Sequence, residues 1–401
     1  MAEKTYAYAI AGGGLAGASA VEGIREIDRD GSILLIGSEK ELPYNRPPLT
    51  KKLWFGTETA SRIFVHGRDY YENNGVDMFL GRSVTKLDPD HKTITDSEGN
   101  SYGYGKLLLV TGGTPRHLHI PGADLEGVTY YRYLDDYEAI RPQAKEGKTA
   151  TVIGGGFIGS EMAAALTINR VEVTMVFPDP YLVSRVFPED LGRALQQHFM
   201  NKGVTVLTGD KPKSFSRTDG GFLTTTDAGN RIESDILIVG IGITPNMDLA
   251  KDAGLKTGNG IIVNEYLQTS NPDIYAAGDN AFFPYQALGM STRVEHWDNA
   301  LSQGKWVGRN MAGAHLPFTY MPYFFSDLFE FGYEAVGEID SRLNVFEDWK
   351  RQYETGIVYY LKDSRVCGVM TCDIYGKLDI ARNLIRSHEK ATPQRLRNAI
   401  V

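Results

Sequence analysis

The sequence predicts an α/β fold built on two Rossmann-like, three-layer dinucleotide-binding domains, and three observations predict it. A glycine fingerprint, Gly12, Gly14 and Gly17, follows the strand-like YAYAIA and opens into the Ala-rich LAGASAVEGIRE. A second, Gly154, Gly156 and Gly159, follows TATVI and opens into FIGSEMAAALTI. Beyond each loop, at the end of the next apolar strand, stands an acidic residue: Glu39 in SILLIGSE and Asp179 in VEVTMVFPD.

A lone G-x-G-x-x-G is weak evidence in a glycine-rich chain, so the setting decides. Both copies have the strand–turn–helix context that the chemistry requires. The glycines let the backbone turn tightly and let a pyrophosphate approach. The helix that follows offers unpaired N–H groups and a partial positive charge to it. A carboxylate at the end of the next strand accepts a bond from a ribose hydroxyl, and its bland alternative is a solvated loop charge. Asp179 would accept from a 2′-hydroxyl and repel a 2′-phosphate, so NADH is expected over NADPH. Arg185, six residues on, would soften that preference. In the first copy Ser38 directly follows the strand and precedes Glu39.

A third signal separates the two nucleotides. TSNPDIYAAGDNA, residues 269–281, reads as a buried strand ending in Gly278 and Asp279. Its small residues allow close approach, and Asp279 is placed to hold a polyol hydroxyl such as the ribityl chain of FAD. The plain alternative is a cap for the next helix.

The chain has 401 residues, 42% hydrophobic and 23% charged, which suits two or three domains with their own cores. A net charge of −8 argues against a general nucleic-acid or anionic-membrane surface. No apolar run approaches a membrane span, and MAEKT leads straight into a strand with no signal-peptide pattern. The two cysteines, Cys367 and Cys372 in VCGVMTC, lie on the second of two strands joined by the polar KDS turn. Five residues apart on a strand, they are expected to face opposite ways and to be separate core thiols. Few cysteines fit a reducing cytoplasm, the expected location.

ELPYNRPPLTKKLWF (41–55), LLLVTGGTPR (107–116), TVIGGGFIGSEMAAAL (151–166), VGIGITPN (239–246), IYAAGD (274–279), RVEHWDNALSQG (293–304) and PYFFSDLFEFGYEAVGEID (322–340) follow one another along the chain. In order and wording these segments resemble the FAD- and NADH-dependent two-dinucleotide reductases, namely the oxygenase-type ferredoxin reductases and apoptosis-inducing factor. The resemblance covers essentially the whole chain. It implies that the first loop serves FAD and the second NADH. It also implies nesting: an FAD domain of residues 1–113 and 243–316, an inserted NAD domain of residues 114–242, and a smaller α+β C-terminal domain of residues 317–401. Strands are expected at EAVGEI, GIVYYL and VCGVMT, and a helix at GKLDIARNLIRSHE.

The resemblance further implies site residues. Lys51, after the stiff RPPLT, matches a lysine beside the flavin, and Arg46 and Arg116 match flavin- or phosphate-contacting arginines. Glu161, read as a first-turn residue of the second helix, is paired with Lys51, against the plain reading of a helix-stabilising carboxylate. Phe157, read as lying within the second loop, resembles an aromatic gate over the flavin. Glu295 and His296 match residues at the nicotinamide amide and the flavin, with His296 positioning rings instead of carrying protons. Phe325, in FFSDL, stands where a tryptophan is common. The flavin set also takes in Leu15, Ala16, Val84 and Trp297, and the NAD set Gly155, Ile158 and Gly242. No metal is expected.

No cysteine lies in SEKELPYNRPPLTK, the region that carries a redox pair in the glutathione-reductase branch. Electrons would therefore leave singly. The leading expectation is a ferredoxin-type reductase with a small iron–sulfur partner. An apoptosis-inducing-factor-like redox sensor, and an NADH oxidase or quinone reductase using quinone or oxygen, are the alternatives.

Overall fold

Both fingerprints sit where a buried strand ends and a helix begins. In the computed structural model, which describes residues 4–400, the first runs β1 (Lys4–Ala11), α1 (Leu15–Ile27), β2 (Ile33–Gly37). The second runs β3 (Thr149–Ile153), α2 (Phe157–Ile168), β4 (Glu172–Phe177). Strands paired on both edges and covered on both faces read as unbroken apolar runs. In β2 all of Ile33, Leu34, Leu35, Ile36 and Gly37 are buried.

The chain divides into two compact units. One comprises Met1–Asn45, Ala60–Thr114 and Thr244–Tyr323, and the other Arg46–Thr59, Pro115–Ile243 and Phe324–Val401.

In the first unit β2 and the Ser101–Leu109 strand flank β1, both parallel to it. The Val76–Leu80 strand extends the sheet beyond β2, again parallel. Thr93–Asp96 and Val84–Asp88 add an antiparallel pair on the far side. Ile274–Ala276 joins parallel to the end of Ser101–Leu109, which brings Gly278 and Asp279 to the edge of the sheet where the first loop lies. The helix α3 (Trp297–Met311) packs on α1. The approach is close because Gly304 and Gly308 lack side chains. A Cβ at these positions would stand 2.4 Å from the Ala16 carbonyl oxygen and 2.2 Å from that of Ala20.

In the second unit β3 lies between β4 and the Ile236–Val239 strand, with Thr205–Thr208 and Val128–Tyr130 outside them, all parallel. Ile153, Val176, Leu237 and Val239 from this sheet pack with Phe215 and Phe222 of a three-stranded antiparallel sheet. The C-terminal segment forms a five-stranded sheet in the order Tyr323–Leu328, Phe331–Gly337, Arg365–Cys372, Thr355–Lys362, Asn344–Arg351, with the helix Leu378–Arg386 packed on its middle strands. Strands cover most of EAVGEI and all of GIVYYL and VCGVMT, and the helix Leu378–Arg386 lies within GKLDIARNLIRSHE, as the sequence placed them. Tyr323–Leu328 and Asn344–Arg351 were not foreseen as strands. The KDS turn is a two-residue hairpin with Asp363 and Ser364 at φ 50° and 59°, the geometry that matches strand twist.

Both cysteines are free and buried, Cys367 at 7% and Cys372 at 0% exposure. The ladder shifts register beside Cys367, whose thiol contacts the Tyr360 carbonyl oxygen at 3.3 Å. Cys372 lies opposite Tyr333 and Gly356.

Candidate functional site

The two loops share one geometry. Gly12 has φ +136° and Gly154 φ +119°, conformations that L side chains rarely adopt. A Cβ on Gly17 would stand 2.3 Å from the Gly12 carbonyl oxygen, and one on Gly159 2.0 Å from that of Gly154. These four glycines are demanded by the protein itself. The middle glycines are not. Gly14 and Gly156 have φ −91° and −86°, open to any residue, and a Cβ on either would meet nothing within 4 Å. What glycine provides there is room for something outside the fold to reach the backbone. Directly behind them α1 and α2 begin, with no side-chain cap and no acid in the first turn. Leu15, Ala16, Phe157 and Ile158 thus present helix N-termini suited to a pyrophosphate. The residues present fit a dinucleotide at both loops.

The ribose carboxylates follow from the same packing. A Cβ on Gly13 would stand 2.9 Å from the Gly37 Cα, and one on Gly155 2.6 Å from the Phe177 ring. Each loop therefore abuts the last residue of the neighbouring strand, and the acid follows two residues later. Glu39 and Asp179 are half-buried, while Ser38 is exposed. The Tyr44 hydroxyl donates to Glu39, whereas no hydrogen bond or ion pair holds the Asp179 carboxylate among the described residues. The backbone N–H groups of Gly81 and Arg82 bond to the carbonyls of Glu39 and Gly37, at 2.8 Å and 2.9 Å, and Val84 follows on the next strand. After Asp179 the chain folds back, and the Val183 N–H donates to the Gly155 carbonyl at 2.8 Å. Val183 has φ 55°, a costly conformation for a β-branched residue, here beside the second loop. Arg185 follows, exposed.

Asp279 follows Gly278, which has φ +78° and whose Cβ position lies 3.4 Å from the Ala16 Cβ. The Arg293 guanidinium donates to the Asp279 carbonyl at 2.9 Å and pairs with Glu295, which is itself exposed. His296 is the residue before α3, and the Trp297 indole N–H donates to the Asn45 side chain at 2.7 Å. These residues belong to the first unit with the first loop.

The second unit holds a buried cluster. Lys51 Nζ lies 2.6 Å from Glu161 Oε1, and each side chain is 7% exposed. The Ser326 hydroxyl donates to Glu161 Oε1 and the Thr50 hydroxyl to Oε2, both at 2.5 Å. The Lys51 ammonium also lies 5.5 Å from the centre of the Phe325 ring. The segment that carries Lys51 is rigid for readable reasons. Pro47 and Pro48 open the 3-10 turn Pro47–Thr50. The Trp54 indole N–H and the Tyr131 hydroxyl both donate to the Leu49 carbonyl, at 2.7 Å and 2.6 Å. Burial pushes the Asp327 carboxyl above its ordinary value, opposed by Lys51.

Two expected positions need correction. Glu161 is the fifth residue of α2, beyond the first turn, so helix-end stabilisation does not account for it. Phe157 is the first residue of α2, not part of the loop, and its half-buried ring meets Phe324 edge-on at 5.5 Å. The α2 positions Phe157 and Glu161, one turn apart, therefore face the strand positions Phe324 and Ser326, two residues apart. Helix and strand periodicities meet along this line.

Arg46, Lys51, Arg116 and Phe325, expected with the flavin set, belong to the second unit, with the second loop. Arg46 donates to the Arg132 carbonyl at 2.9 Å and lies 5.2 Å from the centre of the Tyr133 ring. Arg116 is exposed and donates to the Ile243 carbonyl at 3.0 Å, and its backbone N–H bonds to Gly242. Sequence reasoning missed Thr50 and Ser326. Both adjoin predicted residues, yet a hydroxyl in PPLTK or FFSDL carries no signal of its own.

Two loops of this kind, each with its acid, call for two dinucleotides, and the class this fold defines is the two-dinucleotide oxidoreductases. A family profile described as pyridine nucleotide-disulphide oxidoreductase matches residues 6–304. The chain belongs to that family. A second profile, the C-terminal segment of mitochondrion-associated apoptosis-inducing factor, matches residues 346–387. Mitochondrial apoptosis-inducing factor 1 of Dictyostelium discoideum is 34% identical over 95% of this chain and 78% of its own length. Putidaredoxin reductase of Pseudomonas putida is 31% identical over 96% of this chain and 93% of its own. The solved covalent complex of putidaredoxin reductase with putidaredoxin superposes with a TM-score of 0.91 at 30% identity, covering 98% of this chain and 95% of that one. The protein is thus an FAD- and NAD(H)-binding oxidoreductase with the two-dinucleotide-binding-domain fold. Among the described residues no helix is long and apolar enough to cross a membrane.

Proposed function

We propose that the protein is an NADH-dependent reductase that delivers electrons singly to a small iron–sulfur electron-transfer protein. The observation that carries this reading is the state of the cysteines. Thiol–disulfide exchange needs an accessible thiolate. Burial pushes the Cys367 thiol up to about 11 and the Cys372 thiol higher still. Neither is a route for electrons. The likeness to putidaredoxin reductase, solved joined to putidaredoxin, supports a protein acceptor. Two free buried thiols also suit a reducing, cytoplasmic setting.

FAD held at the first loop would supply acceptance of a hydride from NADH and release of electrons one at a time. The chain's own residues bind, orient and supply charge. In this reading residues 1–113 and 243–316 form the FAD domain, 114–242 the NAD domain and 317–401 the C-terminal domain. Gly12, Gly14, Gly17, Glu39 and Asp279 hold the flavin nucleotide. Gly154, Gly156, Gly159 and Asp179 hold the nicotinamide nucleotide. Lys51 is the fixed cation that offsets negative charge gained on reduction. Glu161 holds the Lys51 ammonium in place, and Thr50 and Ser326 hold Glu161. Phe157, His296, Trp297 and Phe325 are assigned to the cofactor rings on the family resemblance alone.

The test is a steady-state comparison of acceptors with FAD-loaded protein and NADH. A ferredoxin-type protein should be reduced far faster than quinone or oxygen. Faster turnover with quinone or oxygen would make it a quinone reductase or NADH oxidase. The match of residues 346–387 to the apoptosis-inducing-factor segment favours one other reading, a redox sensor. That reading requires slow turnover with every acceptor and a binding partner selected by the reduced form.

A further inference from the structure

A layer of buried polar side chains beneath the first loop takes no part in the site described above. Around the Gly278–Asn280 turn, four fully buried residues each carry a polar atom without a hydrogen-bond partner among the described residues. They are Ser19 Oγ on α1, Asn280 Oδ1 in the turn, and Asn299 Oδ1 and Gln303 Nε2 on α3. Asn299 and Gln303 are one helical turn apart and share a face.

Gln303 stands at the centre of this layer. It is 0% exposed, and its Oε1 accepts the Gly278 N–H at 2.8 Å. Gly278 is left-handed and lies against Ala16, in the first turn of α1. The next residue on α3, Gly304, lies against the Ala16 carbonyl. One end of the Gln303 amide thus holds the turn that presents Asp279. The other end is a buried donor at the junction of that turn, α1 and α3. A buried donor left without a partner is costly, whereas leucine would fill the same space without that cost.

We propose that Gln303 is a positioning residue for the flavin nucleotide: its Oε1 holds the Gly278 N–H and so sets the turn that presents Asp279. This rests on the assignment of the first loop and Asp279 to FAD. Two variants of the full chain test it. Gln303→Leu removes the acceptor of the Gly278 N–H. Gln303→Glu retains an oxygen for the Gly278 N–H and loses the amide donor. Reversible removal of FAD from the holoprotein, followed by fluorescence titration, gives the dissociation constant. Gln303→Leu should bind FAD roughly tenfold more weakly than the parent, and Gln303→Glu should stay closer to it. FAD should raise the melting temperature of Gln303→Leu less than it raises that of the parent. An unchanged dissociation constant in Gln303→Leu, or an equal fall of its FAD-free and FAD-loaded melting temperatures, overturns the proposal. If Gln303→Leu does not fold, Gln303→Met, which also lacks the acceptor, decides on the same two readings. A parent chain that binds no FAD overturns the loop assignment, and this inference with it.

Discussion

Lys51 and Glu161, far apart in sequence, meet at 2.6 Å with each side chain 7% exposed. Two hydroxyls, from Thr50 and Ser326, complete the carboxylate. A buried ion pair repays its desolvation only when its remaining hydrogen-bonding sites are satisfied, and on the carboxylate the two hydroxyls do this. The cost of that burial makes the pair an exacting place to substitute.

Truncating one partner leaves the other charge uncompensated, at about 3–5 kcal/mol. Lys51→Ala is expected to lower the potential of the bound flavin and to slow its reduction by NADH, since the proposed cation is lost. Glu161→Ala is expected chiefly to weaken the nicotinamide complex while FAD stays bound. In a double-mutant cycle on the stopped-flow reduction rate the effects should be non-additive by about 0.5–3 kcal/mol. Additive effects in folded, FAD-loaded variants would show that the pair has no role in hydride transfer.

Ser326→Ala and Thr50→Val each take one donor from a buried carboxylate. A hydrogen bond to a charged group contributes about 1.5–3 kcal/mol, so each variant should lose stability on that scale in urea unfolding. Because both act on Glu161, the double variant should depart from the sum of the singles. Stability equal to the parent's in both singles would mean that the carboxylate finds other donors.

The Asp179 carboxylate accepts no hydrogen bond among the described residues, which leaves it available to the proposed ribose hydroxyl. Stopped-flow bleaching of the flavin should be much faster with NADH than with NADPH. Asp179→Ala should narrow that gap by raising the relative efficiency with NADPH. Equal second-order rates for the two nucleotides in the parent would mean that the ribose carboxylate is misassigned.

The thiols should be silent. A pKa raised above the ordinary thiol value means less thiolate at any given pH, and Cys367, pushed up to about 11, is almost wholly protonated at pH 8. Native protein should therefore react negligibly with an aromatic disulfide reagent at pH 8 and release two thiols on unfolding. Replacement of both cysteines by serine should leave NADH-dependent dye reduction within a few-fold of the parent. Near-complete loss in a folded, FAD-loaded double variant would put a disulfide back into the electron path.

The sequence alone determined the two loops, their acids and the fold class. Their signals are local: glycines that the backbone demands, a buried strand before, a helix after, and a carboxylate two residues beyond the next strand. Gly14 and Gly156 are legible even though a Cβ on either would meet nothing within 4 Å, because the fingerprint includes them. Segments resembling a known family placed Lys51 and Glu161 as a pair. The tertiary structure decided what surrounds that pair. Ser326 comes from the C-terminal sheet and Thr50 from a proline-led turn, and neither hydroxyl differs in sequence from a solvated one. Their partnership exists because α2, with a repeat of 3.6, and the strand Tyr323–Leu328, with a repeat of 2, happen to align two contacts, Phe157 with Phe324 and Glu161 with Ser326. The same holds for Gln303, which reads as an ordinary helix residue until the fold brings its amide beneath Gly278. Motifs repeat along a chain and can be read from it, whereas a buried polar contact is made between distant segments and is decided only when they pack.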